Sequence, residues 1–253
     1  MTPFNKLVLN EHIKQFKRGR GIVLLGVIFF LNLAVAIGLK FTLSDTNFTF
    51  WDYLNVSTYL IYMLNFLTVI IAGDIVSGEF SQGTVKSLLT RPISRFKILK
   101  AKYATVLLSV GYVIGLHLLL AFCFGLLFFY STVLEMNDGV LLNVLLKYIF
   151  GAVEMMVYAS FTMLLSIVTR RTLFSVSFSM FFLLAIKLFL VAMSELNIVQ
   201  FKYLLFANTN LSQYYFGSPL FPGMTLTFSI SVILIHMILF IVISVLSFVR
   251  KDV

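Results

Sequence analysis

The stretch GIVLLGVIFFLNLAVAIGL, residues 21–39, carries no charged side chain and a single amide, Asn32. A bilayer core of roughly 30 Å takes about 20 apolar residues to cross as a helix, so this run is long enough to span one. Five further runs of similar character follow: Tyr53–Gly73, Tyr103 to about Tyr130, about Lys147 to Val168, Leu173 to about Met193, and Thr225–Val249. They predict six transmembrane helices, because backbone facing lipid must satisfy its hydrogen bonds within its own segment, and no series of short alternating strands suggests a barrel. The composition agrees: of 253 residues 60% are hydrophobic and 11% charged, with a mean hydropathy of +1.01. A soluble domain carries about 25% charged residues. The single cysteine, Cys123, cannot bridge within the chain, which excludes a disulfide scaffold.

Basic residues set the expected orientation. With the N-terminus inside, the cytoplasmic segments hold Lys6, Lys14, Lys17, Arg18 and Arg20, then Lys86, Arg91, Arg95, Lys97, Lys100 and Lys102, then Arg170 and Arg171, then Arg250 and Lys251. Only Lys40, Lys147, Lys187 and Lys202 fall at or near the outer side. That bias predicts both termini in the cytoplasm and accounts for the net charge of +9 without invoking nucleic acid. The acidic Asp45, Asp52, Glu135, Asp138 and Glu195 fall outside.

The chain reads as one membrane domain, residues 1–253, without internal repeats or linkers. In its leader, residues 1–20, Leu9, Ile13 and Phe16 recur at helical spacing among Lys14, Lys17 and Arg18. This suits a short helix on the inner leaflet with its apolar stripe in lipid, or a solvated basic tail. A secretory leader is a third reading, since Ala34-Val35-Ala36 imitates a cleavage site, but about 20 residues before the apolar run is long for its basic region. The outer segment 194–224, with Tyr214, Tyr215 and Phe216 before Gly217, Pro219, Pro222 and Gly223, suggests interfacial or partly re-entrant short helices, or an aromatic belt ahead of the last span.

The inner segment 74–102 contains DIVSGEFSQGTVKSLLTRPISRFKILKAK. Gly78 and Gly83 have phosphate-loop spacing, but Thr84 and Val85 separate Gly83 from Lys86-Ser87, and a membrane helix precedes the segment where a phosphate loop needs a strand. A pair of short helices broken by Gly78, Gly83 and Pro92 is expected instead, the second starting at Ile93 behind Pro92 and running into the third span. Arg95, Lys97, Lys100 and Lys102 would meet anionic headgroups. Glu79 is an acid among bases, free to pair with a neighbouring Arg, with a partner protein, or with water.

The run Glu79, Gly83-Thr84, Leu88-Leu89, Arg91-Pro92-Ile93-Ser94-Arg95, with Lys100 or Lys102 entering a span, resembles the inner loop of permease subunits of the ABC (ATP-binding-cassette) type-2 exporter family. The ending Phe248-Val249-Arg250-Lys251-Asp252-Val253 is similar to the way such permeases end. The resemblance covers the whole chain in topology and about 20 residues in motif. It implies an all-α type-2 ABC exporter transmembrane domain in a bacterial plasma membrane, paired with a second, identical or related, permease chain and two separate ATPases that bind ATP and Mg. It also implies that 74–102 is the coupling region, with Glu79, Gly83, Thr84, Leu88, Leu89, Arg91, Pro92 and Arg95 shaping the ATPase contact. The sequence adds a physical reason for a separate motor: the chain contains no G-x4-G-K-[ST]. No cofactor and no catalytic chemistry are expected of the chain itself.

Charged residues inside spans are costly and mark candidate sites. Glu154 and Lys187 both fall roughly 10 Å below the outer edge, at 1.5 Å per residue, so they could pair between adjacent helices. Glu154 could instead serve as a proton or substrate site in an ion-coupled secondary transporter, or either group could snorkel outward. His117 and His236 have no neighbouring ligand set for a metal and read, with Asn32, Asn55 and Asn65, as interhelical hydrogen-bond formers.

Overall fold

The computed structural model describes residues 4–17, 19–43, 48–83, 93–132 and 139–250. Among them every regular element is helical. α1 (Phe4–Lys17) precedes α2 (Arg20–Thr42); α3 (Phe50–Ser57) and α4 (Leu60–Ser81) follow one another in the second crossing. α5 (Arg95–Phe129), α6 (Val140–Thr169) and α7 (Thr172–Glu195) come next. A 3-10 turn, Val199–Tyr203, and two one-turn helices, α8 (Leu205–Asn208) and α9 (Gln213–Phe216), lead to α10 (Leu226–Arg250). Six stretches are long and apolar enough to cross a membrane: Gly21–Thr42, Phe50–Ser81, Arg95–Phe129, Val140–Thr169, Thr172–Glu195 and Leu226–Phe248.

The spans are where the sequence puts them, but their ends differ. The second crossing is broken at Thr58–Tyr59, and its first piece starts earlier than Tyr53. A capping box sets that start: the Asp52 N–H donates to Thr49 Oγ1 at 3.2 Å and the Thr49 N–H to Asp52 Oδ2 at 3.0 Å. Gly78 does not break the chain. α4 runs through it to Ser81, with the Asp74 carboxylate folded into the space a Cβ would take. The helix expected from Ile93 starts at Arg95, because Ser94 is extended and its hydroxyl accepts from the Lys97 N–H at 3.4 Å. Most of the described part of 74–102 is therefore the two ends of span helices. Pro92 lies outside the described residues.

α3 and α4 form the centre of the bundle: 61% of the most apolar window of the second crossing is buried, against 22% for the first, fifth and sixth. Small residues let α4, α6 and α7 approach closely. The Ser166 hydroxyl donates to the Gly73 carbonyl at 2.7 Å and accepts from the Ser77 N–H at 3.0 Å, bridging two groups that pair with each other in a regular helix. Ser77 and Thr172 hydroxyls meet at 2.9 Å. Outward-facing leucines such as Leu127, Leu173 and Leu188 are more than two-thirds exposed, a surface suited to lipid.

α1, the Ser81 end of α4, the start of α5, the α6–α7 junction and the Arg250 end of α10 share one end of the bundle, here called the basic end. Tyr103 on α5 and Ser244 on α10 meet there, as do Arg170 and the Phe80 ring. At the opposite end the segment 194–224 folds against the bundle as short helices. Phe206 packs on Tyr158, Phe161 and Phe182, with ring centroids 5.0–5.4 Å apart. Asn208 ties the segment to α10: its amide donates to the Lys202 and Leu204 carbonyls, and its oxygen accepts from Ser229 Oγ at 2.6 Å. Tyr215 and Phe216 face outward.

Candidate functional site

The basic end holds four charges where three helices meet. α1 is amphipathic in an unexpected sense: Leu9, Ile13 and Phe16 are exposed, as a helix on a leaflet requires, while Val8 and Glu11 turn into the protein against α5. Glu11 and Lys14, three residues apart on one face, pair at 2.6 Å. From α4 comes Glu79 and from α5 comes Lys102.

These side chains close a ring. Lys102 Nζ lies 2.7 Å from Glu11 Oε2 and 3.0 Å from Glu79 Oε2; Lys14 Nζ lies 2.6 Å from Glu11 Oε1 and 2.8 Å from Glu79 Oε1. Cations and anions alternate and the net charge is zero. Lys102 is 0% exposed, yet its ammonium is satisfied: two carboxylates and the Ile75 carbonyl, at 2.8 Å, match its three N–H donors. Ion pairs this deep are tolerated only when every donor and acceptor is met in this way.

The electrostatics of α1 follow from this geometry. Burial pushes the Glu11 carboxyl up, but Lys102 and Lys14 together outweigh it and hold the group below its ordinary value. Burial pulls the Lys14 amine down, and Glu11 and Glu79 more than reverse this. His12 is lowered by burial.

Glu79, singled out in the sequence as the odd acid, is 5% exposed and faces inward onto Lys14 and Lys102. Gly83, at φ +67, makes the turn after α4, and Arg95 opens α5. Thr84, Leu88, Leu89, Arg91 and Pro92 lie outside the described residues. Glu11, Lys14 and Lys102 were missed as partners of Glu79, although the phase of Leu9, Ile13 and Phe16 already puts Glu11 and Gln15 off the lipid stripe.

A second charged pair lies toward the other end. Lys187 Nζ on α7 sits 2.6 Å from Glu154 Oε1 on α6, an ion pair that lacks the angle of a hydrogen bond, and 4.3 Å from the Tyr62 ring centroid. Lys147 reaches Asn55 at 2.5 Å. His117 Nδ1 lies 2.9 Å from Asn32 Oδ1, joining α5 to α2, and because the Asn32 amide donates to the Ile28 carbonyl, Nδ1 is the protonated nitrogen. His236 donates to Val232 of its own helix, and Asn65 contacts Thr68 of its own helix. Among the described residues no three His, Cys, Asp or Glu converge as a metal ligand set.

The family model described as "Protein of unknown function (DUF2705)" matches residues 16–253. The chain belongs to the DUF2705 family. Glu79 and Lys102 fall within the match, whereas Glu11 and Lys14 precede it. Among relatives, "Uncharacterized protein YhcI" of Bacillus subtilis (strain 168) is 35% identical over 83% of this chain and 71% of its own. "Uncharacterized membrane protein YdbK" of the same organism is 34% identical over 95% of this chain and 99% of its own. With six apolar helices and a relative named as a membrane protein, this DUF2705 chain is a multi-pass membrane protein.

Proposed function

We propose that this chain is the transmembrane permease subunit of an ATP-driven ABC exporter, moving an amphipathic or lipophilic solute outward across a bacterial plasma membrane. In this reading the basic end is cytoplasmic, two permease chains supply twelve spans, and two separate ATPases bind ATP and Mg. The resemblance of the inner segment supports it, as does the lack of a nucleotide-binding motif in the chain.

The observation that carries the reading is the ring. A motor acting on residues 84–92 must move helices, and the described helices flanking that stretch, α4 and α5, each contribute one charge to the ring. The ring binds both to α1, which lies against the leaflet. Displacement of the inner segment is then transmitted to three helices together, which is what a rigid-body or shear transition between inward- and outward-open states needs. Glu79 in this scheme holds the lever's root, and the contact with the ATPase is assigned to Leu88, Leu89, Arg91 and Arg95.

An ion-coupled transporter would rest on Glu154 instead. Lys187 already supplies that carboxylate with a counter-ion from within the chain.

The test is purification from native membranes in mild detergent, comparing wild type with Arg91→Glu. The expected result is a P-loop ATPase recovered at one copy per permease chain and lost with the variant, whose elution profile is unchanged. If no ATPase is recovered in any mild detergent, the exporter reading falls.

A further inference from the structure

At the end opposite the basic end, a cavity of about 210 Å³ lies between the break at Thr58–Tyr59, α6 and the segment 194–224. Among its lining residues Tyr59, Tyr62 and Phe216 are exposed, and Glu154 is buried. Lys147 and Glu154 also line it, seven residues apart on one face of α6 and about 10 Å apart along its axis. Their charges are met differently. Lys187, which does not itself line the cavity, lies 2.6 Å from the Glu154 carboxylate, so that pair is neutral. Lys147 is half-buried, and among the described residues no carboxylate pairs with it. Its ammonium donates to Asn55 Oδ1 at 2.5 Å and rests over the Tyr59 and Phe216 rings, 5.8 and 5.1 Å from their centroids. An oxygen thus meets one of its three N–H donors. Asn210 lines the same cavity, and because its oxygen accepts from Ser212 Oγ at 2.5 Å, its amide N–H groups are the donors on offer.

We infer that this cavity binds the oxyanion headgroup of an amphiphile, a phosphate or a carboxylate, at Lys147 and Asn210, with the adjoining apolar part against the rings of Tyr59, Phe150 and Phe216. An ammonium held by two ring faces and an amide oxygen is already positioned and partly stripped of water, so an anion meets its remaining donors at little cost in ordering. The neutral Glu154–Lys187 pair does not offset the Lys147 charge, and the Glu154 carboxylate repels an anion from its own end of the cavity, which keeps the headgroup beside Lys147. A cationic solute would find the Lys147 ammonium already on the ring faces that it would itself need. The exposed Tyr59, Tyr62 and Phe216 add apolar faces that a bare anion leaves uncovered and an amphiphile covers. Binding here needs no ATPase, so failure of the site and failure of the exporter reading are separate outcomes.

The test uses the full chain in nanodiscs of phosphatidylcholine, titrated with n-hexyl phosphate, a water-soluble amphiphile, and followed by isothermal titration calorimetry. One saturable site per chain is expected. Lys147→Gln is expected to weaken it about tenfold, the loss of a charge-assisted contact, while Lys147→Arg keeps most of the affinity. Asn210→Asp, which sets a carboxylate against the anion, is expected to weaken it at least as much and serves if Lys147→Gln does not fold. Inorganic phosphate, which leaves the rings uncovered, is expected to bind about tenfold more weakly than n-hexyl phosphate. Repeating the titration in phosphatidylglycerol nanodiscs, with about 0.5 M KCl to screen their surface charge, separates two sources of the headgroup. Competition there assigns the site to a membrane lipid, and unchanged affinity assigns it to a free amphiphile. The proposal is overturned if wild type shows no saturable binding, if a folded Lys147→Gln or Asn210→Asp binds n-hexyl phosphate as wild type does, or if n-hexyltrimethylammonium binds equally well.

Discussion

The ring at the basic end and the Glu154–Lys187 pair use the same two residue types, yet they are built differently. In the ring Lys102 is fully buried and all three of its donors are met, by groups from two other helices. In the pair Lys187 keeps 36% of its side chain exposed and touches one carboxylate and one ring. Removing the buried Lys102 strands Glu11 and Glu79, whereas Lys187, at 36% side-chain exposure, can turn to water or headgroups from the buried Glu154. The ring thus fixes the mutual placement of three helices, and the pair is an accessory to packing already in place.

The largest effect is expected where the network cannot compensate. Lys102→Met leaves two carboxylates facing each other beside Lys14, and removing one partner of a buried pair costs about 3–5 kcal/mol. Thermal unfolding of the purified chain, followed by size-exclusion elution, should show a large loss for Lys102→Met. Adding Glu79→Gln should recover part of it, since neighbours in one network are not additive. If Lys187→Met proves as damaging as Lys102→Met, the contrast between the two regions is wrong.

Glu11→Gln should come second, at about 2 kcal/mol, because the amide keeps an acceptor but loses the charge-assisted bonds to Lys102 and Lys14. Its pH dependence sharpens the point. The Glu11 carboxyl is held below its ordinary value of 4.5, so its contribution is complete above that value and is lost as pH falls through the lower folded value. The Lys14 amine is held above its ordinary 10.5, so its contribution is complete below that value and is lost as pH rises through the higher folded value. The gap in melting temperature between wild type and Glu11→Gln should stay flat across neutral pH and narrow in acid, and again in alkali above the ordinary Lys14 value. A gap that opens or closes between about pH 6 and 9 would contradict the assignment.

The two regions also differ in how plainly the sequence displays them. Glu154 and Lys187 stand in apolar spans, where any charge is conspicuous and a count of residues from the outer edge gives their depth. Glu11, Lys14 and Lys102 stand among Lys17, Arg18, Lys97 and Lys100, where one more charge attracts no notice. Six crossings were legible because hydropathy acts along each segment alone. The continuation of α4 through Gly78 and the inward turn of Glu79 were not, because each depends on what packs alongside: the Asp74 carboxylate beside the glycine, and α1 folding back onto α5.

Glu154→Gln should cost about 1 kcal/mol or less, near the range for partly exposed pairs, and Lys187→Met should restore part of it by removing the unpaired ammonium. Additive effects of the two substitutions would mean that the 2.6 Å approach carries no energy.

The smallest expected effect separates the regions by salt. At 0.15 M ionic strength the screening length is about 8 Å, and screening acts where ions can approach. Lys187 is open to them and Lys102 is not. Between 0.05 and 0.5 M KCl, the coupling energy of Glu154 with Lys187 should fall by a few tenths of a kcal/mol, as for an exposed pair, while that of Glu79 with Lys102 should not change measurably. Equal salt sensitivity at both sites would place ions, and therefore water, inside the ring, and the tie between α1, α4 and α5 would then be a solvated contact that a moving inner segment could break as easily as transmit.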